Sequence, residues 1–269
     1  MSIHHEDNQI LLGNAFEILP AVPDHSIDLV VTDPPFNVLN KADIKFEHRT
    51  DIVQTTAFDE FPTYADYLAF TAQWVDLVHA KLKEDASLYV FFAAQYITDL
   101  MRICLDVGMK YKGILVWHKT NPAPKIRKSG YLSSTELVLF MVQGAPPFHF
   151  LGQKKMHNFI ETPICMGPER LKDRTPRADG NTPNLHPTQK PLKIYEWLIA
   201  VSSDPGSAVL DPFAGTGTAN EACLNLGRHC LGIEMNPDYH AAALRRLHGA
   251  VKKTNQGAKT QSKLFSPNP

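Results

Sequence analysis

Cysteine is scarce and never closely paired. The chain has four, Cys104, Cys165, Cys223 and Cys230, and no two form C-x-x-C. That spacing argues against a zinc site or a disulfide framework, so no metal is expected and each cysteine should be a free, mostly buried thiol. Long apolar runs are missing too. Nothing approaches a membrane span, and the opening "MSIHHEDNQI" has no signal-peptide core, which predicts a cytoplasmic protein with no membrane partner. No internal repeat is visible. Net charge is only −1 in 269 residues, which on its own argues against a nucleic-acid partner.

The distribution of charge says more than its total. Residues 1–118 hold 8 basic and 17 acidic side chains, residues 119–193 hold 12 and 5, and residues 194–269 hold 7 and 6. A basic centre in an acidic protein fits a polyanion footprint; it also fits a solvated surface stretch, and charge alone does not separate the two. At 43% apolar the chain can bury a full core, and its length suits one large domain or a domain with an insertion.

Strand-like runs alternate with helical ones, which predicts a layered α/β fold. The strand candidates are 9–13, 27–33, 87–93, 113–119, 134–142, 208–213 and 229–235. Several are almost continuously apolar, as in a sheet covered on both faces. The stretch 64–82 carries Tyr67, Leu68, Trp74, Val75, Val78 and Leu82 on one helical stripe. Further helices are expected over 188–202, with Pro191 near its start, and over 237–251, with Asn236 as N-cap and Pro237 at N1. Residues 38–62 and 144–187 lack sustained periodicity, and loops that long are usually functional or disordered. The polar, basic tail from Val251 is expected to be disordered.

Two stretches carry chemistry. "VVTDPPFN" (30–37) runs a strand into an acid, two prolines and a ring. Prolines cannot extend a sheet ladder, so Asp33-Pro34-Pro35-Phe36 reads as a rigid platform at the lip of a sheet, or as a plain turn. "VLDPFAGTGTAN" (209–220) reads as strand, small-residue turn and helix. Gly215 and Gly217 would let a ligand approach the backbone, and Thr216 and Thr218 could cap the helix. Asn220 stands where a dinucleotide fingerprint needs its third glycine, and no phosphate-loop lysine follows. Glu234, ending the next strand, suits ribose hydroxyls. Together these fit a nucleoside pocket without phosphates.

"DPFAGTGT" with "GIEMNPDY" resembles the S-adenosylmethionine site of class I methyltransferases. "TDPPF" resembles the catalytic signature of amino-methyltransferases that act on nucleic-acid bases. "HPTQKP" (186–191) and "ILLGNAFEIL" (10–19) resemble segments of β-group DNA methyltransferases, whose motifs come in this permuted order. The resemblance spans roughly residues 10–247. It implies a Rossmann-like class I fold: a seven-stranded, mostly parallel sheet with helices on both faces. It also implies a catalytic half over 1–143, a target-recognition insertion over 144–187, a cofactor-binding half over 188–250 and a tail over 251–269.

The same resemblance assigns residues. Asp33, Asp211, Phe213, Ala214, Gly215, Thr216, Gly217 and Thr218 would line the cofactor. Glu234 would hold the ribose, with Met235 beside the adenine. His186, Thr188 and Lys190 would sit near the methionine end, with Asn14 and Ala15 from the opening motif; the family often has Asp where this chain has Asn14. The Asp33 carboxylate and the Pro34 carbonyl would accept the hydrogens of an adenine amino group, drawing its nitrogen toward a tetrahedral shape. Phe36, where the family commonly has Tyr, would stack on a base flipped out of double-stranded DNA. The acid at 33 favours adenine N6 over cytosine N4, where relatives more often carry Ser. The same motifs are compatible with an RNA adenine methyltransferase, with a catalytically inactive DNA-binding relative, and with a homodimer. Candidate DNA contacts are Lys41, Lys45 and Arg49 in the first long loop, and Lys154, Lys155, Arg170, Lys172, Arg174 and Arg177 in the second. In the tail, Gln261, Leu264 and Phe265 match a Q-x-x-L-F pattern resembling bacterial sliding-clamp ligands.

Overall fold

The computed structural model describes residues 8–37, 61–124, 130–166, 171–172 and 188–256. The sequence-derived candidates Lys41, Lys45, Arg49, Arg170, Arg174, Arg177, His186, Gln261, Leu264 and Phe265 lie outside these residues.

The described strands are β1 (Gln9–Leu12), β2 (Ile27–Thr32), β3 (Leu82–Phe92), β4 (Lys110–Lys119), β5 (Thr135–Gln143), β6 (Phe159–Thr162), β7 (Ala208–Asp211) and β8 (His229–Glu234). They form one sheet in the order β1-β8-β7-β2-β3-β5-β4-β6. Only β5 runs against its neighbours, pairing antiparallel with both β3 and β4. The carboxyl ends of the other seven strands, and the amino end of β5, therefore share one edge. Chemistry gathers at that edge.

Among the described residues the α-helices are α1 (Ala15–Ile18), α2 (Tyr64–Lys81), α3 (Ile97–Asp106), α4 (Leu192–Ser202), α5 (Thr218–Leu226) and α6 (Pro237–Gln256). Alternate strand residues feed two cores. Val30, Val90 and Leu210 pack on one face with Trp74, Val75 and Val78 of α2 and Leu100 of α3. Leu29, Val31, Phe91 and Val209 pack on the other with Ile194 and Leu198 of α4 and Ala219 and Cys223 of α5. Burial of both faces is why these strands read as unbroken apolar runs. All four cysteines are free and buried, as expected.

The structure corrects several details. The sheet has eight strands among the described residues, one more than expected. The extra one, β6, is four residues long and lies inside the supposedly irregular 144–187 segment. Among the described residues it pairs only with β4, and an edge strand this short shows no periodicity. Strand β3 begins at Leu82, because polar Lys83-Glu84-Asp85 extends it beyond the apolar run. Helices α1 and α3 have no counterpart in the expected pattern, and α6 continues to Gln256 past the expected tail boundary.

Asn220 explains why the third fingerprint glycine is absent. Its side-chain amide donates to the carbonyls of Gln9 (2.9 Å) and Cys230 (3.1 Å), fastening α5 to the β1–β8 pair. Gly232 makes the room: a Cβ there would lie 2.6 Å from Asn220 Oδ1.

Candidate active site

The loops leaving the sheet edge enclose a cavity of about 360 Å³. The D-P-P-F platform forms one wall with Asp33, Pro34, Pro35 and Phe36. Opposite lies the turn after β7, with Phe213, Ala214, Gly215, Thr216 and Thr218. Asn14 and Ala15 of the opening motif, Thr188 and Lys190, and Glu234 and Met235 after β8 complete the predicted lining. Among the lining residues that sequence reasoning did not assign to the site are five aromatics: Phe16, Phe61, Phe70, Tyr195 and Tyr239.

Two predicted cofactor residues stand behind this lining. Asp211 is buried, and its Oδ1 accepts hydrogen bonds from Thr32 Oγ1 (2.7 Å) and the Phe213 amide (3.2 Å). It anchors the turn that carries the lining. Burial is the main reason its carboxyl is pushed up to about 7. Gly217 has φ +74°, and a Cβ on it would meet Ala243 and Ile10 at 3.0–3.1 Å, so glycine there serves close packing of α5 against α6 and β1. The expected threonine cap is not seen. Gly217 itself stands at the N-cap of α5, while Thr218 Oγ1 accepts from Arg246 at 2.9 Å. The Asn236 cap of α6 is as expected, accepting from the Asp238 and Tyr239 amides. Asn14 caps α1 by accepting from the Phe16 amide at 3.0 Å.

Glu234 is held by backbone. Its Oε2 accepts from the Gly215 amide (2.8 Å) and its Oε1 from the Asn236 amide (2.7 Å). One carboxylate thereby ties the turn after β7 to the turn after β8. Burial raises its pKa, partly offset by those amides.

Lys190 is 4% exposed, and its ammonium lies 2.6 Å from Asp33 Oδ2. Glu136 Oε2, from the start of β5, lies 3.3 Å from the same nitrogen. Glu136 Oε1 in turn meets Lys119 Nζ at 2.8 Å. Burial opposes the charge on Lys190, yet Asp33 and Glu136 together hold its pKa above the ordinary lysine value. Burial likewise works against the charge on Glu136, and the two lysines overcome it, leaving its pKa lowered. Sequence reasoning missed Glu136 and Lys119. The available signal was an acid in the otherwise apolar strand "ELVLFMV", since an acid there needs a partner.

The platform itself is braced from outside the cavity. The Tyr67 hydroxyl of α2 donates to the Pro35 carbonyl at 3.0 Å. Phe36 is half-buried, 6.4 Å from Phe92 between ring centroids, with the Lys190 ammonium 5.1 Å from its own centroid.

A family model for DNA methylases of the N6/N4 type matches residues 27–245. The chain belongs to this family. It is 30% identical over 257 residues to the type II methyltransferase M.HpaI of Haemophilus parainfluenzae, covering 90% of this chain and 74% of that one. Identity to the type II methyltransferase M.HinfI of Haemophilus influenzae is 28% over 250 residues, covering 89% and 68%. The solved M1.HpyAVI–SAM complex aligns with a TM-score of 0.65 at 26% identity, over 89% of this chain and 98% of that one. The cytosine-N4-specific PvuII DNA methyltransferase aligns with a TM-score of 0.69 over 92% and 91%, and at 20% identity that likeness shows the fold alone. The methylase thus has the Rossmann-like class I methyltransferase fold, and its cofactor is S-adenosylmethionine. No helix among the described residues is long and apolar enough to cross a membrane.

Proposed function

We propose that this methylase acts on the exocyclic N6 of an adenine flipped out of double-stranded DNA. The observation that carries the reading is the Asp33 carboxylate at the cavity wall, held by Lys190 at 2.6 Å; by the resemblance of "TDPPF" to the amino-methyltransferase signature, an acid at this position favours adenine over cytosine. The cavity suits the cofactor. Glu234 is preset by two amides and keeps further lone pairs for ribose hydroxyls, Met235 stands exposed at the rim, and the Gly215 turn lets a ligand approach backbone. Asn14, Thr188 and Phe213 would complete the binding surface. When bound, S-adenosylmethionine supplies a methyl group already activated on sulfonium sulfur.

The chain's own residues do the rest by positioning and fixed electrostatics. Asp33 accepts one amino hydrogen and the Pro34 carbonyl the other, so the nitrogen lone pair turns out of the base plane. Phe36 offers a ring for the flipped base. Exposed Lys154, Lys155 and Lys172 belong to the 144–187 segment, which would read the target sequence. Sequencing the modified bases in DNA from cells expressing the methylase tests the assignment. N6-methyladenine at one short motif is the expected result, and N4-methylcytosine would overturn it. Replacing 144–187 with a relative's segment should move the motif; an unmoved motif would place recognition elsewhere.

A further inference from the structure

Four alternating charges run along the active edge of the sheet: Lys119, Glu136, Lys190 and Asp33, linked at 2.8, 3.3 and 2.6 Å. They come from the end of β4, the start of β5, the segment before α4 and the loop after β2. Their side chains are between 4% and 16% exposed. Holding ions this far from water is costly, and well-packed apolar side chains are often as stable there or more so. The arrangement therefore calls for a reason other than stability.

The chemistry of the site supplies one. The methyl donor is a sulfonium cation, and the spent cofactor is a neutral thioether. Lys190 lines the same cavity, and an uncompensated ammonium there would repel the donor and leave the product unaffected. Asp33 offsets Lys190 on one side, but Asp33 also has to accept a hydrogen from the target amino group. A second anion against the ammonium, set outside the cavity, leaves Asp33 free to do so. Glu136 lies 3.3 Å from the ammonium and does not itself line the cavity. The rings of Phe36 and Phe91 lie 5.1 and 5.6 Å from the ammonium, so little water is present to screen it.

We propose that Glu136, steadied by Lys119, is a positioning residue that cancels the charge of Lys190 and keeps the cavity neutral toward a sulfonium. The inference rests on the proposed acceptor role of Asp33, but its main test does not need turnover. The test is the ratio of dissociation constants for S-adenosylmethionine and S-adenosylhomocysteine, measured by titration calorimetry at pH 8.5 on the full chain.

Glu136→Gln keeps the shape, removes one negative charge and should raise the ratio about fivefold or more. Lys190→Met should lower it. The double variant should return it to within about twofold of wild type, because the cluster is neutral again. Damage to the binding surface would weaken both ligands together and leave the ratio alone. An unchanged ratio in Glu136→Gln, or shifts of the same sign in the two single variants, would overturn the proposal. If Glu136→Gln does not fold, Lys119→Met at the outer end of the cluster decides instead: the ratio should fall, and a ratio that stays put is fatal. Glu136→Gln should also slow single-turnover methylation with little change in KM for DNA, and Glu136→Asp should recover part of the rate. The acceptor role fails separately, if Asp33→Ala still methylates DNA.

Discussion

The Tyr67 hydroxyl donates to the Pro35 carbonyl across 3.0 Å, from a helix to the middle of the catalytic loop. Tyr67 is fully buried and stacks on Phe92 with ring centroids 5.9 Å apart. Neither residue moves easily, so the bond fixes how far the D-P-P-F loop stands from the sheet. Tyr67→Phe removes one oxygen and keeps the ring. A hydrogen bond of this kind is worth about 1 kcal/mol, which predicts a roughly fivefold slower single-turnover rate. Cofactor affinity should hold. A wild-type rate would show that the prolines and Lys190 fix the loop unaided.

Phe36 serves two contacts through a single ring. Its ring packs beside the Lys190 ammonium and is proposed to receive the target base. Phe36→Ala should cost about 1–3 kcal/mol of stacking, seen as a slower single-turnover rate and weaker capture of the flipped base. Phe36→Tyr keeps the ring face and should be close to neutral. If alanine were as fast as phenylalanine, the base would have to stack elsewhere.

Much of this site is legible in the sequence. The platform, the turn after β7 and Glu234 are all marked by residue types whose chemistry is local: prolines that end a ladder, glycines that open a turn, an acid at a strand end. The two faces of the sheet are legible as well, since continuous apolar runs mean double burial. What stays hidden depends on contacts between elements remote in sequence. Glu136 meets Lys190 only because β5 runs antiparallel between β3 and β4. Asp211 reads as a cofactor ligand, yet it turns under the loop to meet Thr32, 179 residues away. Strand β6 escapes because an edge strand needs only one ladder.

Glu234 makes a prediction with a pH signature. Both of its oxygens accept backbone amides, and as a carboxylate it retains capacity for the ribose. Glu234→Gln places an amide group against an amide donor and removes the charge. Losing charge-assisted hydrogen bonds of about 1.5–3 kcal/mol should weaken cofactor binding roughly ten- to a hundredfold by calorimetry. In the wild type, burial raises the Glu234 pKa. The ionised form is the better acceptor, so affinity should decline on acidification at a higher pH than an ordinary glutamate would give. A Glu234→Gln variant that binds normally would remove Glu234 from the cofactor site.

Asp211 should make folding stability fall with rising pH. Burial pushes its carboxyl up to about 7, against the Thr32 and Phe213 hydrogen bonds that favour the charged form. In the unfolded chain an aspartate titrates near about 3.9. Between those values the folded protein holds a proton that the unfolded chain has lost. This contribution is therefore fully present below about pH 4, shrinks as pH rises, and is gone above about pH 7. Asparagine at 211 cannot ionise. Because Oδ1 accepts both hydrogen bonds, an amide oxygen in its place can keep them. Urea unfolding of the apo-protein from pH 4.5 to 8 should show Asp211→Asn gaining on wild type by a few kcal/mol across the series. Parallel stability curves would mean that Asp211 is ionised throughout, and that the turn after β7 rests on a carboxylate rather than on a neutral carboxyl.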